Sequence, residues 1–592
     1  MGWICRLLAV ALPPALLLVA VPPYRLTAQT PDTTSTSIPD SLSPDTFRTV
    51  LPVLGPAASP QPRLTRYVFG HDELRWLGAF TLGDLLLHVP GVFLVRAGWY
   101  GQPEVIAYSG QGAASIEVYW DGFALDPLGD DSAGLDVGRI PIGLLSRVEV
   151  EVLPTRLRVH LVSDVQPVRR PRTEASFATG DAQTNSYRGR YLNRWHSGFG
   201  LSLAADFFGT DGPTTSRGTV QNLSLWGKAT WTPSPRVGVE YQLLRIGVER
   251  QPQPGLQAAA PINGANLDRT DAFVRAHAAT GADGMGLRFD ALFGTSRYAD
   301  TTGLEASQEQ MATGVSYRSS TWSAETALRL RSGNRPVQLR ARLSWAPVRG
   351  VVVSGYAERT SVVGDGSVSD AGLSGELGLF AGLRFHGAAR WRDYRASRQV
   401  EGDTTQSVGD WSWGFSWIRP RWDVDVTLAR HGRFIAPAYG LFRAQLPRMT
   451  EIDVVTMTAA LALRPRPYLT LHGWYRHPLD PIHAAYEPPH HTRLAATFRS
   501  RFLPRFRRGA LDVLVEAALE GWGDGTAGVD AQGNPIALEG ATVVNYRVEF
   551  RLVGALLYWT LINPNLERYA VLPGFPMARS LQRFGVRWEF QN

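Results

Sequence analysis

The stretch Val337-Gln338-Leu339-Arg340-Ala341-Arg342-Leu343-Ser344-Trp345 decides the fold. Val337, Leu339, Ala341, Leu343 and Trp345 make one face wholly apolar, while Gln338, Arg340, Arg342 and Ser344 make the other polar and charged. A period of two is the mark of a β-strand. The same contrast recurs in residues 511–520, where Leu511, Val513, Val515, Ala517 and Leu519 oppose Asp512, Glu516 and Glu520. In residues 544–552, Val544, Tyr546, Val548, Phe550 and Leu552 oppose Asn545, Arg547, Glu549 and Arg551. A strand with one greasy and one charged face fits between lipid and a wet or plugged lumen.

The joins between such segments alternate in length from residue 172 onward. Joins 193–198, 232–236, 280–284, 319–321, 346–350, 417–420 and 464–467 are short, and between them lie long polar joins at 209–221, 247–268, 359–371, 431–450 and 521–540. Transmembrane barrels sort their connections in this way, with short periplasmic turns and long outer loops; a soluble sandwich has no reason to. The expected fold is mainly β: a transmembrane antiparallel β-barrel of about twenty-two strands over residues 173–592, with a small α/β plug domain in the lumen. Aromatic residues fall where girdles at the membrane–water boundaries are expected, in Trp411, Trp413, Phe415 and Trp417, and at Trp422, Tyr468, Tyr475, Tyr558 and Trp559.

The N-terminus reads as a signal peptide over residues 1–28, with Arg6 as its charge, an apolar run over 7–20 and small residues before Gln29. Residues 29–64, rich in Thr, Ser, Pro and Asp, form a flexible periplasmic tail. The chain's one cysteine, Cys5, lies in the signal, so the mature protein depends on sheet hydrogen bonding and burial rather than disulfides. The net charge is +7, and Lys228 is the sole lysine among the 60 basic residues. The arginines are interleaved with Asp and Glu through alternating strands, which points to a lumen lined by ion pairs and not to a nucleic-acid surface.

Residues 65–160 form a compact unit with its own punctuation. Thr81 caps a helix with Asp84 at the capping-box position, Leu85, Leu86 and Val89 give its buried face, and Pro90-Gly91 stops it. Strands follow at 92–95, 105–108 and 116–120, the last turned by Asp121-Gly122. In order and spacing, Thr81-Leu82-Gly83-Asp84-Leu85-Leu86, Val89-Pro90-Gly91-Val92, Tyr119-Trp120-Asp121-Gly122-Phe123, Ile140-Pro141 and Arg147-Val148-Glu149-Val150 resemble the plug of TonB-dependent outer-membrane receptors. The C-terminal Phe584, Val586, Trp588 and Phe590 resemble that family's last strand, the signal read by the barrel assembly machinery. After Arg147-Val148-Glu149-Val150 the family continues through Leu-Arg-Gly-Pro into a Gly-rich stretch. Here the chain reads Glu151-Val152-Leu153-Pro154-Thr155-Arg156-Leu157-Arg158-Val159-His160, a shortened plug end.

The resemblance implies an outer-membrane receptor of a Gram-negative-type bacterium, monomeric and with no cofactor. It would take a scarce small-molecule ligand, such as siderophore–iron or cobalamin, and import it with the TonB energy-transducing complex as partner. The candidate segment for pairing with TonB is Asp45-Thr46-Phe47-Arg48-Thr49-Val50-Leu51, since extended residues in a tail suit strand addition. Arg96, Trp99 and Tyr100 of the plug, with Phe434, Tyr439 and Phe442 of an outer loop, offer a guanidinium and aromatic faces to a planar anionic ligand; plug-to-wall packing is the other reading. His477, His483, His490 and His491 cluster at one outer loop without ligand-like spacing, and Asp126, Asp130, Asp131 and Asp136 lack the spacing of a calcium loop, so no metal site is expected. No nucleophile elbow, HExxH, P-loop or dinucleotide fingerprint occurs, and no enzymatic activity is expected. The alternative function is a plugged barrel with a surface-binding or structural role and no energised transport.

Overall fold

The structure, a computed structural model, describes residues 66–591 except 77, 129–134, 167–168, 213–217, 257–258, 282–284, 302, 334, 363–365, 396–404, 481–483 and 503–509. The expected signal peptide, the expected tail and the candidate segment 45–51 lie outside the described residues, as do Asp130, Asp131 and His483.

Twenty-two antiparallel strands close into a barrel that begins at Arg172–Gly180 and ends at Leu581–Gln591. The last strand zips onto the first, from Arg583 opposite Gly180 to Gln591 opposite Arg172. Closure leaves no sheet edge, which is what lipid demands, because hydrocarbon cannot hydrogen-bond a free N–H or C=O. The strand Val337–Trp345 pairs on one side with Trp322–Arg331 and on the other with Val351–Val362. Its Gln338, Arg342 and Ser344 are buried toward the lumen, whereas Leu339, Leu343 and Trp345 are exposed on the outer face.

That division holds around the wall. Outward side chains such as Leu203, Phe293, Leu373, Trp413 and Trp588 are exposed, 60% in the case of Phe293, and the inward positions are mostly polar, charged or small, except where Trp226, Leu244, Phe273 and Leu292 meet the plug. At the short-turn end, aromatic pairs flank the connections. Ring centroids lie 5.4 Å apart for Trp195–Phe199, 4.6 Å for Tyr317–Trp322, 5.6 Å for Trp417–Trp422 and 5.6 Å for Tyr468–Phe498. This has the composition of a girdle at one membrane boundary, and it is the shortness of the turns there that matches the periplasmic end of such barrels. Phe584, Trp588 and Phe590 of the closing strand face outward, with Val586 between them on the same face. Tyr558, expected in a girdle, instead points inward, where the Arg583 guanidinium lies 5.9 Å from its ring centroid.

One expected loop is corrected. Residues 359–371 are not a long join: Val351–Val362 and Gly366–Gly378 pair continuously, from Val351 opposite Leu377 to Val362 opposite Gly366. Small residues on the outer face and polar ones on the inner face give this hairpin the composition of a loop. Three neighbouring outer connections, at 301–304, 332–336 and 363–365, are therefore short. Long loops at 436–450, 479–490, 523–540 and 563–580 follow one another along one side of the mouth, and a further one at 251–264 rises between the strands Val237–Arg250 and Ala265–Ala279.

The plug fills the lumen. Strand β1 (Arg66–Phe69) and helices α1 (His71–Trp76) and α2 (Leu82–Leu86) are followed by the hairpin β2 (Val92–Arg96) and β3 (Glu104–Tyr108). Next come β4 (Ile116–Trp120), β5 (Phe123–Ala124), β6 (Leu145–Leu153) and β7 (Arg156–Ser163), and the main sheet runs β1-β6-β7-β4-β5. Thr81 and Asp84 exchange side-chain bonds with each other's backbone N–H at 3.2 Å, completing the capping box. The shortened plug end is β7, the buried middle strand, antiparallel to β6 and parallel to β4. Val148 and Glu149 are fully buried in β6, where the Glu149 carboxylate lies 2.6 Å from Arg147 Nε and 3.4 Å from Arg66.

A charge on the outer face tests the wall. Phe293→Arg, near mid-strand, should cost ~2–4 kcal/mol of barrel stability in vesicles, and Val337→Arg at a strand end ~0–1 kcal/mol, read from denaturant unfolding. Equal costs at the two depths would argue against a lipid-facing surface.

Candidate functional site

The site is the interface between plug and wall, because any path through the bore must pass there. On one side it is apolar. Leu85, Val148, Leu157 and Val159 of the plug belong to one core with the lumen-facing Trp226, Leu244, Ile246 and Phe273. Phe123 stacks on Phe273 with centroids 4.9 Å apart and planes within 6°.

Asp121-Gly122 forms the tight turn between β4 and β5. Both residues have positive φ, 47° and 88°, as a two-residue hairpin turn of this hand requires. The turn delivers a buried carboxylate to the wall. Lys228 Nζ donates to Asp121 at 3.2 Å and lies 3.0 Å from Glu240. Asp121 also accepts from the Ser163 backbone N–H at 3.0 Å and from the Ser163 hydroxyl and the Gln242 amide. Burial pushes the Asp121 carboxyl up, but Lys228 and these donors more than offset it and hold it below the usual range. The sole lysine of the chain is thus spent on a plug–wall latch, a role that sequence reading missed.

Across the bore the contacts are ionic. Glu117 accepts from Arg156 Nη1 at 2.6 Å and Arg158 Nε at 2.9 Å, while Arg158 Nη2 reaches Glu358 of the wall at 2.6 Å. Arg342 of the wall pairs with Glu151. Burial acts to raise the Glu151 carboxyl, yet Arg342 and Arg158 carry it down to about 2. The β6–β7 turn docks through Thr155, whose hydroxyl lies 3.0 Å from Asp410 and accepts from Arg390. Beyond β5 the chain is strapped to the wall. Gln310 bonds the Ala124 N–H and C=O at 3.2 and 2.9 Å, and Arg331 Nη1 donates to Asp126 at 2.7 Å.

The candidate ligand residues are all packed. Arg96 is buried, donates to Glu104 at 2.5 Å and to Asp84 at 2.8 Å, and lies 4.2 Å over the Tyr100 ring. Trp99 Nε1 donates to Thr210 at 2.8 Å. Phe434, which lies in the wall strand Trp422–Ile435 and not in the expected loop, and Tyr439 and Phe442 are buried in a second core that joins the β2–β3 hairpin to Ile452 and Trp522 at strand ends and to Tyr486 and Phe575 of the long outer loops. The structure brings the two sets to the same end of the bore but does not leave them lining an open cleft. Gly91, with φ 80°, lets the Arg476 guanidinium approach; a Cβ there would lie 2.6 Å from Nη1. His477 and His490 stack with centroids 5.1 Å apart on the outer surface, whereas His491 is buried beside Glu520. Among the described residues no group of three or more metal-ligating side chains gathers. Asp126 is taken by Arg331 of the wall, and Asp136 serves local structure, accepting from the N–H groups of Glu104 and Gly138 at 3.0 and 3.2 Å.

No family model and no curated protein matches the sequence. Solved structures do match the fold. The siderophore receptor PirA from Acinetobacter baumannii superposes with a TM-score of 0.67 at 10% identity over 89% of this chain and 98% of that one. A double mutant of the ferric enterobactin receptor PfeA from Pseudomonas aeruginosa gives 0.69 at 10% identity over 90% and 99%. The copper transporter OprC gives 0.70 at 10% identity over 90% and 99%. The chain has the plug-and-barrel fold of these receptors, and the apolar outer face of its closed wall is the face a membrane barrel turns to lipid.

Removing both sides of the latch should cost less than the two single losses added together. Asp121→Ala should cost about 3–5 kcal/mol by leaving Lys228 buried with less compensation, and Asp121→Ala with Lys228→Met should cost less than the two single changes summed, measured by hydrogen exchange in β4 and β7. The Glu151 pair sets an acid limit. Its carboxyl is depressed on folding, so its stabilisation is complete above the unfolded value near 4.5 and is lost as pH falls through about 2. Exchange protection of β6–β7 should fall over that window, and Glu151→Gln should flatten the dependence.

Proposed function

We propose that this chain is an outer-membrane receptor that binds a scarce solute, such as siderophore–iron or cobalamin, and imports it to the periplasm. The observation that carries this reading is the two-sided seating of the plug. Against Trp226, Leu244, Ile246 and Phe273 it seats through an apolar core crossed by the one Lys228–Asp121 latch, while against Arg342, Glu358 and Arg390 it seats through hydrogen bonds and ion pairs. An apolar contact resists water, but polar groups can exchange partners with water when pulled, so the plug is hinged on one side and releasable on the other. A barrel needing only a permanent stopper has no use for that asymmetry, which weighs against a purely structural role.

In this reading the wall is static and the plug is the gate. Solute arriving at the outer mouth shifts the long loops and the β2–β3 hairpin, which share one core, and the signal passes to the N-terminal tail. TonB then pairs with the tail, at residues 45–51, and supplies the pull. The receptors and the transporter of similar fold act on ferric enterobactin, other siderophores and copper. No bond is made or broken in the solute, and the chain's groups act by binding and release alone.

Growth of a strain that depends on this chain for ferric siderophore or cobalamin should be lost on deletion of residues 45–51 and on loss of TonB alike. Growth unaffected by either change would contradict energised import.

A further inference from the structure

Between the apolar seat of the plug and its ionic one, a sector of wall stands away from it. Beneath residues 122–126, the strap that ties β5 to the wall, lies a cavity of about 210 Å³. Tyr119, Gly122 and His160 form its plug side. On the wall it follows the strands Glu305–Arg318 and Trp322–Arg331, from Ala312 opposite Arg329 down to Arg318 opposite Ser323 at the short-turn end.

The wall leaves this room through its small side chains. Ala312, Gly314 and Ser316 point inward and are half-buried, whereas the inward Gln242, Ser296 and Arg390 of other strands are buried. A Cβ on Gly314 would come no closer than 3.6 Å to the neighbouring strand. With Arg288, Asp290 and Arg340 in its lining the cavity is polar, and a polar space of this volume holds many waters.

Above the cavity stands the strap, and what holds it to these two strands is polar. Gln310 bonds the N–H and C=O of Ala124, Arg331 donates to Asp126, and Arg329 Nη2 donates to the Gly122 carbonyl at 3.0 Å. On its other flank the strap is moored to the strand Ala265–Ala279, by Phe123 on Phe273 and by Arg269 Nη1, which donates to the Asp126 carbonyl at 2.8 Å. The strap can therefore let go of one pair of strands while keeping its hold on the other. Over this sector the outer connections, at 301–304 and 332–336, are short, and the long loops that cover the β2–β3 hairpin rise from other strands.

We infer that the route through the bore runs down this sector, with the strap as its gate and the cavity as its lower half, already formed. The gate rests on the geometry alone; that an imported solute uses it rests on the function proposed above. Passage then needs no departure of the plug from its apolar seat, only exchange of the strap's polar bonds for bonds to water.

Ionic current through the purified mature protein in a planar lipid bilayer tests the gate without any solute. The unaltered protein should carry no steady current, and Gln310→Ala with Arg331→Ala, which frees the strap, should carry one. In that background Ser316→Cys, treated with a sulfonate-bearing methanethiosulfonate, puts a bulky anion in the cavity and should reduce the current. The same treatment of Ala204→Cys, on the apolar flank, should leave it unchanged. Heat-modifiable gel mobility shows whether each variant folds. No current through a folded double variant, or a current that responds alike at the two cysteines, would overturn the route. Gly314→Trp keeps the inference falsifiable if the double variant does not fold, because its indole fills the cavity beneath an intact strap. Where growth on ferric siderophore or cobalamin depends on residues 45–51, Gly314→Trp should abolish it, and undiminished growth with a folded Gly314→Trp barrel would overturn the route. Growth indifferent to residues 45–51 would instead remove the import reading, and the current would still decide the gate.

Discussion

Everything in this protein follows from the requirement that no backbone hydrogen bond be left open to hydrocarbon. A sheet can meet it only by closing on itself, and the pairing of Leu581–Gln591 with Arg172–Gly180 is that closure. Closure creates a bore wide enough to leak, so a separate module must fill it. The charged inner face that the wall requires for its wet side then becomes the surface on which the plug docks. One constraint thus yields the two-faced strands, the lumen rich in arginine and a plug held by ion pairs as well as by apolar contact.

The division of labour inside the bore is chemical. Hydrophobic contact around Trp226, Leu244 and Phe273 fixes one flank of the plug. Opposite it, Glu117, Arg158, Glu358, Glu151 and Arg342 make a chain of buried charges. Such pairs gain little net stability after desolvation but are costly to break singly. They therefore hold register while the plug is home, and water can replace the whole set once it enters. The latch at Lys228 and the strap at Gln310 and Arg331 extend the same logic down and up the bore.

Much of this was legible in the sequence because it depends on local patterns. Period-two alternation in Val337–Trp345 reads directly as a wall strand, and Asp121-Gly122 and Thr81 with Asp84 read as a turn and a cap. The hairpin at residues 351–378 was misread since a wall strand with Gly and Ser outside and Asp and Glu inside has a loop's composition. The plug–wall contacts were not legible because their partners are far apart in the chain: Asp121 with Lys228, Thr155 with Arg390 and Gln310 with Ala124 meet only after closure. The solitary lysine was the one available hint. The aromatic character of Phe434, Tyr439 and Phe442 was plain, but the sequence could not say whether they face a ligand or one another, and here they are buried in the loop core.

The most direct test of a plug seated in the bore uses the strap. The mature chain has no cysteine if cleavage follows residue 28, so Ala124→Cys with Gln310→Cys introduces the only pair. In intact cells under mild oxidation the two should form a disulfide that shifts gel mobility and is reversed by reductant. A folded barrel carrying both cysteines that never cross-links, while a pair placed across neighbouring wall strands at Ala341 and Ala357 does, would contradict the account.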